Sequence, residues 1–159
     1  MTSGSAETGS ASVTIERSPS EVFAALSDIT RTGEWSPECT AGRWIDGATG
    51  PAVGARFEGD NKAVIAGRTV KKWTTTSEVT SCVPGEVFEF VAEGYTTWRY
   101  ELEPVGTGTP IASTRVTESF SFESKGVQGF IYSTLMRRPK MMEKGMQRTL
   151  AKLKEALEK

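Results

Sequence analysis

Apolar and polar positions alternate along most of this chain, and the period changes twice. Residues 11–17 (ASVTIER) alternate and are β-branched, which predicts a strand. Ser18-Pro19-Ser20-Glu21 then opens a helix: Ser18 suits the N-cap, Pro19 the first helical position and Glu21 the far end of a capping box. Val22, Phe23, Leu26 and Ile29 follow at helical spacing, and Gly33 ends the run. Strand-like runs occupy 40–46, 54–62, 68–81, 86–94, 96–105 and 111–123, with turn signals at Asp46-Gly47, Gly50-Pro51, Pro84-Gly85 and Gly106-Thr107-Gly108. From 127 the helical period returns through Val127, Phe130, Ile131, Leu135, Met142, Met146, Leu150, Leu153 and Leu157. Pro139 is predicted to interrupt or kink this segment near 136–139, and 140–158 reads as a clean amphipathic helix.

The predicted order is strand, one or two short helices, six strands and a long helix. Short connectors imply antiparallel neighbours, and strands without intervening helices exclude a doubly wound parallel sheet. The expectation is an α+β fold in which about seven antiparallel strands wrap round the C-terminal helix, the one element large enough to cover the apolar face. The space between them is either packed or left as a pocket. Residues 1–10 (MTSGSAETGS) read as a disordered arm, and 11–159 as one domain.

Composition narrows the chemistry more than the fold. The chain has 159 residues, 37% hydrophobic and 25% charged, with net charge −1. That balance gives no long-range pull toward nucleic acid or an anionic membrane. No apolar run is long enough to span a bilayer, and the start lacks a signal-peptide pattern, so the expected compartment is the cytoplasm. There is no histidine. That removes Ser–His–Asp and Cys–His nucleophile arrangements, HExxH zinc sites and the usual proton shuttle at neutral pH. Cys39 and Cys82 form no CxxC pair, and no glycine loop cradles phosphate, so neither a metal nor a cofactor is expected. Acid–base work would fall to Asp, Glu, Tyr, Lys or water.

Alternation sorts the strand faces. In 114–122, Glu118 shares the face of Val116, Phe120 and Phe122, opposite Arg115, Thr117, Ser119 and Ser121. A carboxylate there is either a pocket group with a raised pKa or one that twist or a partner satisfies. Phe57, Gly59 and Asn61 share a face opposite Arg56, Glu58 and Asp60. Gly59 would leave room in an interior, and Asn61 is either a second pocket group or a turn-side residue. Trp98, Tyr100 and Leu102 form another such set, as do Trp73, Thr75, Ser77 and Val79, and the pair Phe88 and Phe90. Those aromatics are core or ligand lining, and the Tyr100 hydroxyl needs a partner if buried. Met142 and Met146 lie on the last helix with Met136 and Met141 nearby, filling a core or adapting to a ligand. Gly145 in that helix suggests a close approach to another element. Arg137, Arg138 and Lys140 form a solvated cluster or a headgroup site.

The stretches SPSEVFAALSDITRTGEWSPEC (18–39), DGATGPAVGARFEGDN (46–61), KWTTTSEVTSCVPGEVFEF (72–90), WRYELEP (98–104), STRVTESF (113–120) and GMQRTLAKLKEALE (145–158) resemble the START-like, or SRPBCC, superfamily, within it the polyketide cyclase/dehydrase and lipid-transport group. The resemblance covers nearly all of the chain after residue 10. It implies the helix-grip fold, a deep apolar cavity between sheet and C-terminal helix, and a short second helix formed by TGEWSPEC beside its mouth. Trp35 and Pro37 would then shape the rim rather than frame a reactive Cys39, which has no histidine partner. Fold alone does not give function. The leading expectation is a cavity that binds a small hydrophobic or amphipathic ligand, lipid or polyketide-like, with Glu118, Asn61 and Tyr100 at its polar end. The alternatives are a cyclase/aromatase or dehydratase in the same cavity, with Glu118 moving protons, and an interaction module with a filled interior. Either a monomer or a homodimer fits.

Overall fold

A computed structural model describes residues 7–106, 112–122 and 139–159. Strand β1 (Glu7–Ile15) leads into helix α1 (Pro19–Leu26) and a 3-10 helix (Ile29–Glu34). Six strands follow: β2 (Cys39–Ile45), β3 (Arg56–Ile65), β4 (Arg68–Val83), β5 (Val87–Ala92), β6 (Thr96–Val105) and β7 (Ser113–Phe122). Helix α2 (Pro139–Glu158) closes the chain. All strands join one antiparallel sheet in the order β1-β7-β6-β5-β4-β3-β2, the helix-grip arrangement. No helix among the described residues is long and apolar enough to cross a membrane.

Local chemistry explains the first helix. The Ser18 hydroxyl accepts from the Glu21 amide at 3.3 Å and donates to its carboxylate at 3.2 Å, with Pro19 in the first turn. Two expectations nearby are corrected. β1 begins at Glu7, inside the stretch expected to be a disordered arm, because Glu7–Ser10 pair with Phe122–Ser119 of β7. The second short helix is Ile29–Glu34 and not the TGEWSPEC stretch: the Asp28 side chain caps it and Trp35 ends it. This helix sits hard on β2. A side chain at Gly33 would run into the Thr40 carbonyl, and one at Gly42 into the Ile29 carbonyl.

Register shifts at Cys39/Ala41, Ala63/Val64 and Val79/Ser81 mark irregularities that bend strands and raise the local twist, as curvature requires. The inner face packs against α1 and α2, around Ile15, Val22, Phe23, Val79, Phe88, Val116, Leu150 and Leu153. Helix α2 lies mainly on β1. Gly9 allows that contact, since a Cβ there would meet Phe120 Cε1 at 2.7 Å and Glu143 Cγ at 3.3 Å. Gly145 does not play that part: a Cβ on it would meet nothing within 4 Å. The expected kink, the apolar positions from Val127 to Leu135, and Met136, Arg137 and Arg138 lie outside the described residues.

Candidate functional site

The face assignments made from alternation hold strand by strand. In β7 the buried positions are Thr114, Val116, Glu118, Phe120 and Phe122. In β6, Thr96 and Leu102 are buried with Trp98 and Tyr100 half-buried between them, while Arg99 on the other side reaches Glu89 and Glu101 at 2.8 and 2.9 Å. Phe57 and Gly59 are buried, with Arg43 pairing Glu58 and Asp60 on the opposite face.

Register then brings the polar members of the inner face together. Tyr100 and Glu118 are directly opposed on β6 and β7, and Ala11 of β1 flanks Glu118 on the other side. The Tyr100 hydroxyl donates to Glu118 Oε2 at 2.9 Å. Glu118 is only 4% exposed, and its second oxygen, Oε1, is buried with no hydrogen-bond partner among the described residues. Burial pushes the Glu118 carboxyl up to about 8, although the Tyr100 hydrogen bond pulls it down. Burial, and then the charge of Glu118, hold the Tyr100 phenol well above its usual range. Both shifts run the same way, toward the protonated carboxyl and the protonated phenol. Among the described residues, Oε1 is thus a buried polar atom left unsatisfied on an apolar face.

Asn61 lies mid-strand, opposite Cys39 and Trp73, and not at a turn. Its amide nitrogen donates to the Gly59 carbonyl and to Thr75 Oγ1, both at 3.1 Å. The Cys39 thiol lies beside this group: a Cβ on Gly59 would meet Cys39 Sγ at 3.4 Å and Thr75 Oγ1 at 3.5 Å. Cys39 also sits near enough to Tyr100 to raise its pKa. Burial pushes the Cys39 thiol up, the reverse of what a nucleophile needs.

Aromatic residues occupy much of the same face. Trp98 packs on Phe120 with ring centroids 5.8 Å apart, and both join Met142 and Met146 of α2 and Phe122 in one cluster. Phe57 meets Phe90 at 5.1 Å and Trp44 at 5.6 Å, edge to face. Trp35 differs from expectation. It is 3% exposed, packed in the main core with Arg31 over its ring, so it is no rim residue, whereas Pro37 is exposed. Trp73 is half-buried, with the Lys71 ammonium 5.7 Å from its ring.

Thr75, Thr96 and Cys39 join the inner face although none was singled out as a site residue from sequence. Thr96 Oγ1 is the other buried side-chain oxygen without a partner among the described residues. Counting back by two from Trp98 would have found it. Two shallow depressions, one at the 46–56 loop and one on the outer face beside Thr76, Glu78 and Glu93, hold no unsatisfied buried atom.

Comparison with known proteins agrees with this architecture. A family model described as polyketide cyclase / dehydrase and lipid transport matches residues 7–158. The solution structure of a polyketide-cyclase-like protein from Corynebacterium glutamicum is 38% identical, with 95% of this chain and 85% of that one covered and a TM-score of 0.51. A crystal structure from Chromobacterium violaceum, 16% identical, superposes at 0.68 over 96% of this chain and 97% of that one. A START superfamily protein from Mycobacterium smegmatis, 19% identical, superposes at 0.62 over 95% and 94%. A comparison with curated proteins found no match.

Proposed function

The chain belongs to the polyketide cyclase / dehydrase and lipid transport family, and from that premise we propose that it binds a small, mostly apolar molecule, lipid or polyketide-like, carrying a carbonyl or similar acceptor. The molecule lies between the inner face of the sheet and α2. The observation that carries the reading is Glu118 Oε1, buried and without a hydrogen-bond partner among the described residues, on the strand face it shares with Val116 and Phe120. Burying a polar atom without a partner costs about 1–3 kcal/mol, and a ligand acceptor would recover much of it. Apolar burial of the remainder supplies the affinity at about 25 cal/mol per Å², less the costs of association. Asn61 and Thr75 form a second polar point, with their hydrogen bonds already directed.

Native mass spectrometry of the purified protein, with organic extraction, comes first. Titration with prodan, a naphthalene bearing a ketone, then tests the anchor. Binding with blue-shifted emission is expected in the wild type. Glu118→Ala should weaken it about 10-fold, whereas Glu118→Gln, which keeps a donor, should retain most of it. If Glu118→Ala and Trp98→Ala both bind prodan like the wild type, the site is misassigned.

The same oxygen favours a second reading. A buried carboxyl that keeps its proton at neutral pH is suited to act as a general acid, and a shaped cavity holding a poly-β-ketone would supply proximity for cyclisation or dehydration. Glu118→Gln should then abolish turnover while leaving binding intact. Turnover that persists in this variant would remove the catalytic role.

A further inference from the structure

Strands β3 and β4 run on past the rest of the sheet. Pairing of β2 with β3 starts at Cys39↔Asn61, and pairing of β4 with β5 stops at Ser77↔Ala92. After a last backbone bond from the Lys62 amide to the Glu38 carbonyl, the two strands run on paired with each other, from Ala63↔Lys71 to Ile65↔Arg68, as a projecting two-stranded ribbon. Val64, Ile65 and Val70 are 48%, 66% and 57% exposed on it, three of the most exposed large apolar side chains among the described residues. Between Asn61 and Trp73 stand four cations, Lys62, Arg68, Lys71 and Lys72, and no acid. The chain as a whole is charge-balanced, so this segment is a local departure that the total conceals.

The turn adds an independent sign. Ala66 and Gly67 take left-handed conformations with φ of 50° and 78°. Glu93-Gly94 and Asp46-Gly47 adopt nearly the same pair of angles with an acid in first place. A non-glycine residue there is best written as Asn or Asp, which relieve the strain by local hydrogen bonding. At the ribbon tip the strained position carries an apolar methyl instead. Lysines on exposed strands also discourage edge-to-edge association, and that would explain the cations. It would not explain valine, isoleucine and alanine exposed beside them.

We propose that this ribbon docks the protein on an anionic lipid bilayer, with Val64, Ile65 and Ala66 entering the headgroup layer and Lys62, Arg68, Lys71 and Lys72 facing the phosphates. A bilayer offers the layered complement that this surface presents, anionic outside and apolar beneath. A second copy is opposed by charge, because two ribbons meeting would each bring four cations. The inference does not rest on the ligand reading, since the ribbon lies outside the Glu118–Tyr100 site and its variants should bind prodan unchanged.

The test is co-sedimentation of the full chain with vesicles of phosphatidylcholine alone and with about 30 mol% phosphatidylserine. Binding is expected only to the anionic vesicles, falling steeply between about 0.1 and 0.5 M salt. Lys71→Glu with Lys72→Glu should weaken it at least about 10-fold, and Ile65→Ser about 3-fold, with thermal melts of both variants unchanged. Equal binding to both vesicle types, no binding, or indifference to these substitutions overturns the proposal. So does a dimer in analytical ultracentrifugation that Ile65→Ser dissolves, which would assign the surface to a second copy.

Discussion

The two faces of the sheet use the same residue types to opposite ends. On the outer face, Asp60 accepts from the Arg43 guanidinium at 3.0 Å and from Thr74, and these contacts hold its carboxyl below the usual range. On the inner face, Glu118 has no cation beside it and one hydrogen bond among the described residues, and a carboxyl pushed up to about 8. The step of a strand from one side to the other thus separates a solvated, ion-paired carboxylate from a buried neutral acid. The aromatics follow the same division, with Phe88, Phe57 and Phe120 all inside. The outer ion pairs carry little of the stability, and the inner face carries most of it.

That contrast can be broken at several points. The largest effect is expected for Phe88→Ala. This side chain is fully buried, edge-to-face with Phe23 and tilted on Phe90, so its loss should cost about 3–5 kcal/mol in urea unfolding. A loss comparable to that of a surface residue would show that the inner face is loosely packed.

Next comes the pH dependence. The folded carboxyl of Glu118 lies above its unfolded value, so the folded state binds the extra proton. The stabilisation is whole below about pH 4.5 and is lost as pH rises to about 8. At about 1.4 kcal/mol per pH step, that bounds the loss at roughly 5 kcal/mol. Glu118→Gln should flatten the stability profile across this window relative to the wild type, read by denaturant unfolding at several pH values. Profiles that stay parallel would contradict the buried acid.

The facing glycines Gly42 and Gly59, Cα partners on β2 and β3, make a finer test. Gly42→Ala drives a methyl into the Ile29 carbonyl and should cost about 1–3 kcal/mol. Gly59→Ala meets only ordinary contacts with Cys39 and Thr75, and should be neutral or stabilise by up to about 1 kcal/mol. Thermal melts of the two would separate a seat for the 3-10 helix from a position with room for a methyl. The smallest effect belongs to the outer face: Arg43→Ala, at an exposed ion pair, should leave the melting temperature and its salt response nearly unchanged.

Alternation made the inner face legible because side-chain direction in a strand is a local property. Glu118 beside Phe120, and Tyr100 beside Trp98, could be placed without knowing any pairing. That Tyr100 meets Glu118 could not, because register joins residues 18 apart in the chain through partners that local pattern does not choose. The same limit hid Cys39 beside Tyr100. The start of β1 was missed for another reason: Glu7-Thr8-Gly9-Ser10 has little strand propensity, and its pairing with β7 and the approach of α2 over Gly9 decide its conformation. The ribbon escaped notice because a charge total averages over it.

The central claim is that Glu118 is a buried neutral acid at physiological pH. Its side-chain carboxyl can be followed by 13C NMR in the wild type through a pH titration, with Glu118→Gln to assign the resonance. A midpoint near 8 is the result this structure predicts. A midpoint near the ordinary 4.5 would mean that the carboxylate is solvated or paired, and the proposed ligand anchor would fall with it.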